Sequence, residues 1–280
     1  MNVFPAPAKI NFFLHVVGRR EDGYHLLESV LAFIDLADTV TLTVTKDGMI
    51  ARTRPLANIA EDDDLTIRAA RLLRRETGAR YGVRIAVEKH IPQGGGLGGG
   101  SSDAATVLIA LNRLWELHLP QSTLQTMALA LGADVPFFIG GHAAWVSGIG
   151  ERLEPISLPP MWLALALPPI AISTAEIFNA PELTRNTRSE KIAAFTKDHG
   201  RNDLERVVIG RYPPVAQALA CLRQYAGNAR MSGSGSSVFA IVESENAAKN
   251  VIQALPADIS GVVTRTRTYH PLLKWGFRKD

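Results

Sequence analysis

Between Gly94 and Gly100 every residue but Leu97 is glycine, and this run constrains the fold more than any other stretch of the chain. A backbone almost without Cβ atoms can take positive φ and let a bound group press against its amides. Ahead of it, Val83, Ile85 and Val87 alternate at strand period. Behind it, Val107, Leu108, Leu111, Leu114 and Trp115 recur at helical spacing. Ser101, Ser102 and Asp103 are N-cap residue types, so the pattern predicts that the helix starts with them. In such a unit, free N–H groups and the positive end of the helix dipole converge on an anion, and phosphate is the natural guest. A flexible linker is the bland alternative, but linkers are not held between a strand and a capped helix.

Two familiar phosphate loops fail to match. The ATPase loop requires Gly-Lys-Ser/Thr, and here Gly100 is followed directly by Ser101. Gly94, Gly96 and Gly99 satisfy the letters of the dinucleotide fingerprint, but its strand ends at the first glycine and an acidic residue follows about 20 positions on. In this chain His90-Ile91-Pro92-Gln93 intervene, and Glu116 lies in the loop's own predicted helix.

The remaining composition narrows the class. The 280 residues, 46% hydrophobic and 20% charged, suffice for one large domain or two of moderate size. A lone Cys221 excludes an intrachain disulfide and cysteine metal sets, and suits a reducing, cytoplasmic setting. Its apolar surroundings, Ala216–Leu222, predict an inert buried thiol. No signal peptide is expected, because Lys9 and Asn11 arrive before any long apolar run. Met161–Ile172, the most apolar stretch, is short and interrupted by Pro168-Pro169, so no membrane span is expected. A net charge of +3 suits an anionic substrate without demanding nucleic acid. Arg68, Arg71 and Arg75 share one helix face, which reads as solvated surface.

Taken in order, Ile10–Val17 reads as a strand with Ile10, Phe12, Leu14 and Val16 on one face. Lys9, Asn11, Phe13 and His15 take the other, which sets an ammonium beside an amide. After the turn Gly18–Gly23, a second strand is predicted near Leu27–Phe33 and a third around Val40, Leu42 and Val44, with a hairpin turn at Lys46-Asp47-Gly48. Glu61–Asp64 predicts an acidic cap on a helix over Leu65–Thr77 that Gly78 ends. A further helix is predicted over Thr123–Leu131, ending at Gly132, with Pro136 pushing Val135 toward an extended conformation. Asp134 then stands at an abrupt helix exit among apolar neighbours. A strand follows at His142–Val146. The proline-rich stretch Pro155–Pro160 predicts a boundary between domains 1–157 and 158–280. In the second part, strands are predicted at Trp162–Leu167, Val238–Val242 and Val262–Thr266. Helices are predicted from Thr174–Phe178 and over Ser189–Thr196, Asp203–Ile209, Val215–Tyr225 and Asn246–Leu255. A second small-residue loop spans Ser232–Ser237 and either receives an anion or simply turns tightly. Strands interleaved with helices imply an α+β fold with a sheet covered on one face.

Phosphoryl transfer needs in-line positioning, a carboxylate to take the hydroxyl proton, and a nearby cation. Asp134 is the candidate carboxylate, against a helix-end turn residue making Asx hydrogen bonds. Lys9 is the candidate cation, against an ordinary surface lysine. Tyr24-His25 can offer a stacking ring and an imidazole, or simply pack at a strand start.

Three separated segments, Pro7-Ala8-Lys9-Ile10-Asn11, Pro92–Ala105 and Met231-Ser232-Gly233-Ser234-Gly235, resemble the galactokinase–homoserine kinase–mevalonate kinase–phosphomevalonate kinase (GHMP) superfamily. Within it, Gly18–His25, Ile34-Asp35-Leu36-Ala37-Asp38 and Gly132–Phe138 resemble the branch that acts on a cytidine diphosphate of methylerythritol in the non-mevalonate isoprenoid precursor pathway. The likeness runs from Pro5 to His270-Pro271-Leu272. It implies an α+β, two-domain GHMP kinase fold, N-terminal ribosomal protein S5 domain 2-like and C-terminal ferredoxin-like. It also implies ATP-dependent phosphorylation of the 2-hydroxyl of a small-molecule cytidine diphosphate substrate. Asp134 matches the general base and Lys9 its charged partner. Pro92-Gln93-Gly94-Gly95-Gly96-Leu97-Gly98-Gly99-Gly100-Ser101-Ser102 matches the nucleotide phosphate loop. Asn11, Tyr24 and His25 match substrate contacts, the last two around the cytosine. Phe178 matches the aromatic on the ring's other face, in a segment that opens with Thr174 as a further contact. Mg²⁺ is expected with ATP, with Ser101 and Ser102 as hydroxyl candidates.

Departures from the family pattern lie at Asp64, where asparagine is usual near the nucleotide base, at Asn179, where some relatives carry lysine, and at Ser236-Ser237, where Pro-Thr is common. Rival readings are a sister kinase acting on another alcohol and a basic nucleic-acid-binding module, which would bind RNA with steep salt dependence and turn over no ATP.

Overall fold

The computed structural model describes residues 1–56, 59–190 and 200–277. Its spine is an antiparallel pair, β1 (Asn2–Arg19) and β2 (His25–Thr45), joined through the turn at Gly23. The two strands expected between Leu27 and Val44 are one continuous strand. No glycine or proline interrupts Leu26–Thr45, and the polar middle is accommodated because Asp35 faces solvent while Asp38 is buried against Lys89.

The free edge of β2 serves three partners in turn: β5 (Ala144–Ser147) at Ser29–Leu31, β10 (Ser260–Arg267) at Phe33–Ile34, and β4 (Gly82–Glu88) at Thr39–Thr45. β6 (Arg152–Pro155), unforeseen from the sequence, pairs with β5. Lys46–Gly48 turns the chain, but not into a hairpin. β3 (Ile50–Arg52) runs parallel to β4 on the edge away from β2. Beyond β10 come β7 (Trp162–Leu167), β9 (Val238–Val242) and the short β8 (Arg230–Met231).

Strand alternation explains the layers. Ala164, Ala166, Val238 and Ala240 face a cluster with α6 (Glu205–Arg211), α7 (Pro213–Tyr225) and α8 (Glu245–Gln253). Leu163, Leu165, Phe239 and Ile241 point the other way, onto Ile10, Phe12 and Phe13 of β1 and Val30, Ala32 and Ile34 of β2. On the opposite face of the β1–β2 pair lie α1 (Leu65–Thr77), α2 (Gly99–Leu114), α3 (Gln121–Ala128) and α4 (Val135–Gly140). Asp64 caps α1 through its side chain and Gly78 closes it at φ +69°, as the sequence pattern predicted. The helix expected over Ser189–Thr196 runs into residues 191–199, outside the described residues.

The alternation predicted for β1 fails at bulges. Register shifts fall between Pro7 and Lys9 and between Asn11 and Leu14. Phe12 and Phe13 are both fully buried, and Leu14 and Val16 join the cluster of the C-terminal half instead of Ile10 and Phe12. The backbone released from the ladder finds other partners: Leu14 N–H donates to Arg201 O (3.0 Å), Asp203 N–H to Leu14 O (2.8 Å), and Val16 N–H to Asp203 Oδ2 (2.8 Å). Cys221 is half-buried, with its thiol 3.3 Å from Ala254 O, not fully buried as expected. Among the described residues no helix is long and apolar enough to cross a membrane.

The C-terminal tail returns to the first layer. α9 (Leu273–Gly276) sets Trp275 5.0 Å from Phe4, ring to ring. Just before it, His270 is fully buried beside Phe33; its Nδ1 accepts from Leu272 N–H (3.1 Å) and its Nε2 has no partner. Burial, helped by the charge of Arg267, pulls the imidazole pKa down to about 3. The folded state therefore keeps His270 neutral while an unfolded chain protonates it below its ordinary value. Its contribution is present above about pH 6.5 and drains away by about 1.4 kcal/mol per pH unit below that. Denaturant titrations at about pH 8 and pH 5 should show a loss of about 2 kcal/mol attributable to this group. His270→Phe should remove that part of the slope; an unchanged slope would refute the assignment.

Candidate active site

A cavity of about 980 Å³ opens between the two halves, and the glycine loop forms one wall. The loop is held from behind. Ser237 N–H donates to Gly95 O (3.1 Å), Ser232 Oγ to Gly96 O (3.2 Å), and Ile172 N–H to Gly94 O (3.2 Å). Gly96 sits at φ +74°, and a Cβ there would lie 2.2 Å from Ser232 O. The second small-residue loop is thus the seat of the first. That contact, not freedom to flex, is why Gly96 must be glycine.

The N-terminus of α2 differs from the expectation. The helix begins at Gly99 with Gly98 as N-cap at φ +71°, and its first helical bond runs from Ser102 N–H to Gly98 O (2.9 Å). Ser101, Ser102 and Asp103 lie inside the helix and do not cap it. The glycines reach φ values that let the turn close earlier than the N-cap residue types suggest. The amides of Gly99, Gly100 and Ser101 precede the first bonded turn, the arrangement that receives anions. Ser101 lines the cavity. Ser102 does not: it is fully buried and its hydroxyl donates to Pro7 O (2.7 Å).

Lys9 links this loop to the opposite wall. Its N–H donates to Leu97 O (2.9 Å), its Nζ donates to Asn11 Oδ1 (2.6 Å), and the ammonium stands 3.8 Å from Asp134 Oδ2. The lysine is 4% exposed, so it is not a surface residue. Burial lowers its pKa, and the Asp134 carboxylate opposes that shift. Asn11 is itself oriented: its Nδ2 donates to Ser29 Oγ (2.8 Å), which donates to Phe13 O (2.5 Å).

Asp134 is the N-cap of α4, with no side-chain capping bond. Here the extended conformation expected at Val135 is overturned. Proline fits the first turn of a helix, where its missing N–H costs nothing, and Pro136 stands there. Val135–Ile139 are all buried, which draws α4 inward and leaves the Asp134 carboxylate, 45% exposed, at the cavity wall.

At the other end of the cavity lie Tyr24, His25, Thr174 and Phe178. Thr174 and Phe178 bound the short helix α5 (Thr174–Phe178), and Thr174 Oγ1 shares a hydrogen bond with Ser234 Oγ (2.8 Å). The His25 and Phe178 ring centroids are 5.1 Å apart at 35°. That spacing leaves no room for a base between them, so a ring received here would have Tyr24 and Phe178 on its faces and His25 at its edge. Tyr24, 60% exposed, is free to close over such a ring.

Two groups at the site, Lys89 and Arg185, escaped the sequence reading, while Asp64 takes the role of helix cap. Lys89 bridges the buried carboxylates of Asp38 and Asp103 beneath the start of α2. Burial pushes the Asp103 carboxyl up to about 7 against the pull of Lys89. Asp64 lines the cavity, but Oδ1 accepts from Thr66 N–H (2.8 Å) and Thr66 Oγ1 (2.7 Å), and Oδ2 faces Arg52 (3.5 Å). Its carboxylate is therefore committed to α1 and Arg52. Arg185 contacts His25 from 160 residues away. Asp38 and Asp103 lie far in the chain from Lys89, as His25 does from Arg185, and no local pattern marks these pairings.

A glycine loop at a helix N-terminus, a carboxylate and a buried lysine between them, in two packed halves, are the arrangement expected of a small-molecule kinase of the GHMP type. The models of the GHMP kinases N terminal domain and the GHMP kinases C terminal domain match residues 64–142 and 181–260, more than half of the chain. Such kinases are ATP-dependent phosphotransferases. A 4-diphosphocytidyl-2-C-methyl-D-erythritol kinase of Thiobacillus denitrificans is 57% identical over 269 residues, covering 96% of each chain. Its counterpart in Nitrosomonas europaea is 51% identical over 275 residues, covering 97% of this chain and 99% of that one. The crystal structure of a 4-(cytidine 5'-diphospho)-2C-methyl-D-erythritol kinase superposes with a TM-score of 0.83 at 34% identity, over 95% of this chain and 99% of that one. A mevalonate kinase structure shares the fold at a TM-score of 0.70 and 14% identity. The chain belongs to the 4-diphosphocytidyl-2-C-methyl-D-erythritol kinase family of the GHMP kinases.

Proposed function

We propose that this protein transfers the γ-phosphoryl group of ATP to the 2-hydroxyl of 4-diphosphocytidyl-2-C-methyl-D-erythritol, in isoprenoid precursor synthesis. The observation that carries the mechanism is the placement of Lys9, whose main chain bonds the glycine loop and whose ammonium lies beside Asp134. The glycine loop and the Asp134 carboxylate both line this cavity, which supports a shared site for phosphate donor and proton acceptor.

In this reading the Gly94–Ser101 backbone holds the ATP phosphates. Asp134 accepts the proton of the attacking hydroxyl, a bond forms from that oxygen to the γ-phosphorus, and the bond to the β-bridging oxygen breaks to release ADP. Lys9 neutralises charge on the entering and transferred oxygens, and Asn11 orients Lys9. Tyr24, His25 and Phe178 receive the cytosine, and Thr174 faces the same end. Mg²⁺ accompanies the nucleotide. Among the described residues there is no cluster of three or more His, Cys, Asp or Glu that could hold a metal ion. Of the two candidate hydroxyls, Ser101 and Ser102, Ser101 is the one that lines the cavity and would be able to contact such an ion. Residues 1–157 carry Lys9, the loop and Asp134, whereas 158–280 carry Phe178 and the supporting loop. The single cysteine and the ATP requirement support a cytoplasmic setting.

The test is ADP production with the cytidine diphosphate substrate against its uncytidylated analogue. The analogue should lose at least about 10²-fold in kcat/KM, since binding remote from the reacting centre is used there. Equal turnover of both would favour a sister kinase acting on a plain alcohol.

A further inference from the structure

We propose that Arg185 is a positioning residue that holds His25 as its Nδ1–H tautomer, and that this tautomer makes the site select a cytosine ring over a uracil ring. The selection rests on the reading above, in which His25 meets the edge of the base.

Arg185 Nε–H donates to His25 Nε2 at 3.0 Å. A guanidinium has five donors and no acceptor, and it keeps its proton. Nε2 must therefore offer its lone pair, which leaves the single proton of a neutral imidazole on Nδ1. Burial, then the charges of Arg185 and Arg19, hold the His25 pKa below its ordinary value and favour that neutral form. Nδ1 has no acceptor among the described residues, and His25 lines the cavity. Cytosine presents an acceptor at N3 where uracil presents N–H. A fixed N–H donor pairs with the first and opposes the second.

The same guanidinium fixes the stacking ring. Its Nη1 donates to Leu183 O (3.1 Å), and its Nη2 donates to Phe178 O (3.0 Å) and Ala180 O (2.7 Å). The segment that carries Arg185 is pinned in turn: Thr187 N–H donates to Val16 O (3.1 Å) and Thr187 Oγ1 to Asp203 (2.6 Å). One side chain therefore orients both the ring that stacks and the ring that reads the edge.

The test compares wild type, Arg185→Met and Arg185→Lys. NMR of the His25 imidazole nitrogens, without any substrate, should show the proton on Nδ1 in the wild type and Arg185→Lys, and a shift toward Nε2–H in Arg185→Met. Steady-state kinetics with the cytidine substrate and its uridine counterpart should show a wild-type preference of about 10²-fold or more, since an unpaired buried donor is strongly rejected. Arg185→Met should narrow it to within about tenfold and raise KM for the cytidine substrate, leaving KM for ATP unchanged. Arg185→Lys keeps a donor to Nε2 and should keep the preference while losing the loop anchorage. A wild-type proton on Nε2 overturns the proposal. So does Arg185→Met losing both substrates in equal proportion, as mere loosening of the loop would produce. An Nδ1–H signal with no turnover of either substrate instead overturns the kinase reading, and the base selection with it, while the hold on His25 stands.

Discussion

Asp134→Asn is expected to bind ATP within about twofold of wild type and to lose about 10²–10⁴-fold in kcat. The amide has the shape of the carboxylate but cannot accept the hydroxyl proton. Structure gives little reason for collateral damage. Asp134 makes no capping bond to α4, and its side chain is 45% exposed. The glycine loop is held by Ser237, Ser232 and Ile172, none of which touches Asp134 through a hydrogen bond. Isothermal titration with nucleotide, circular dichroism and steady-state turnover together decide the matter. A folded mutant that turns over at a rate comparable to wild type removes Asp134 from the role of general base.

Lys9→Met is the second large effect. Methionine matches the length of the lysine stem, so the packing of that stem on Gly98 survives, and the main-chain bond from residue 9 to Leu97 O is untouched. What disappears is the ammonium beside Asp134 and the donor to Asn11 Oδ1. Charge stabilisation at the reacting centre typically accounts for about 10²–10³-fold when one donor is removed. The single-turnover rate should fall by that much while nucleotide Kd changes by less than about tenfold. Measured side by side, an equal loss in both would make Lys9 a simple phosphate ligand.

Local signals carried some of this and missed the rest for identifiable reasons. The glycine run, its flanking strand and helix, and the cap at Asp64 with the stop at Gly78 are near-neighbour effects, and they were legible. The start of α2 departs from the local signal because the N-cap preference of Ser101 and Ser102 is outweighed by glycines at positive φ upstream. Pro136 disfavours a helical Val135 by local rule, yet it occupies the first turn of a helix, where the same ring is favoured. The face assignment along β1 failed at Leu14 because a bulge is set by partners such as Arg201 and Asp203, remote in sequence. Lys9 looked most like a surface lysine by residue type, and burial beneath the loop makes it something else.

By itself, the sequence determined that a glycine loop would stand between a strand and a helix N-terminus, the arrangement that receives anions, and which polar residue types were at hand near it. Those follow from φ preferences and hydrophobic period, which act over a few residues. Tertiary structure alone decided that Asp134 and Lys9 meet at 3.8 Å across that loop, that Ser102 is sealed against Pro7, and that Arg185 governs His25. Each is a contact between segments far apart in the chain, set by which backbone and side-chain groups packing leaves to satisfy one another.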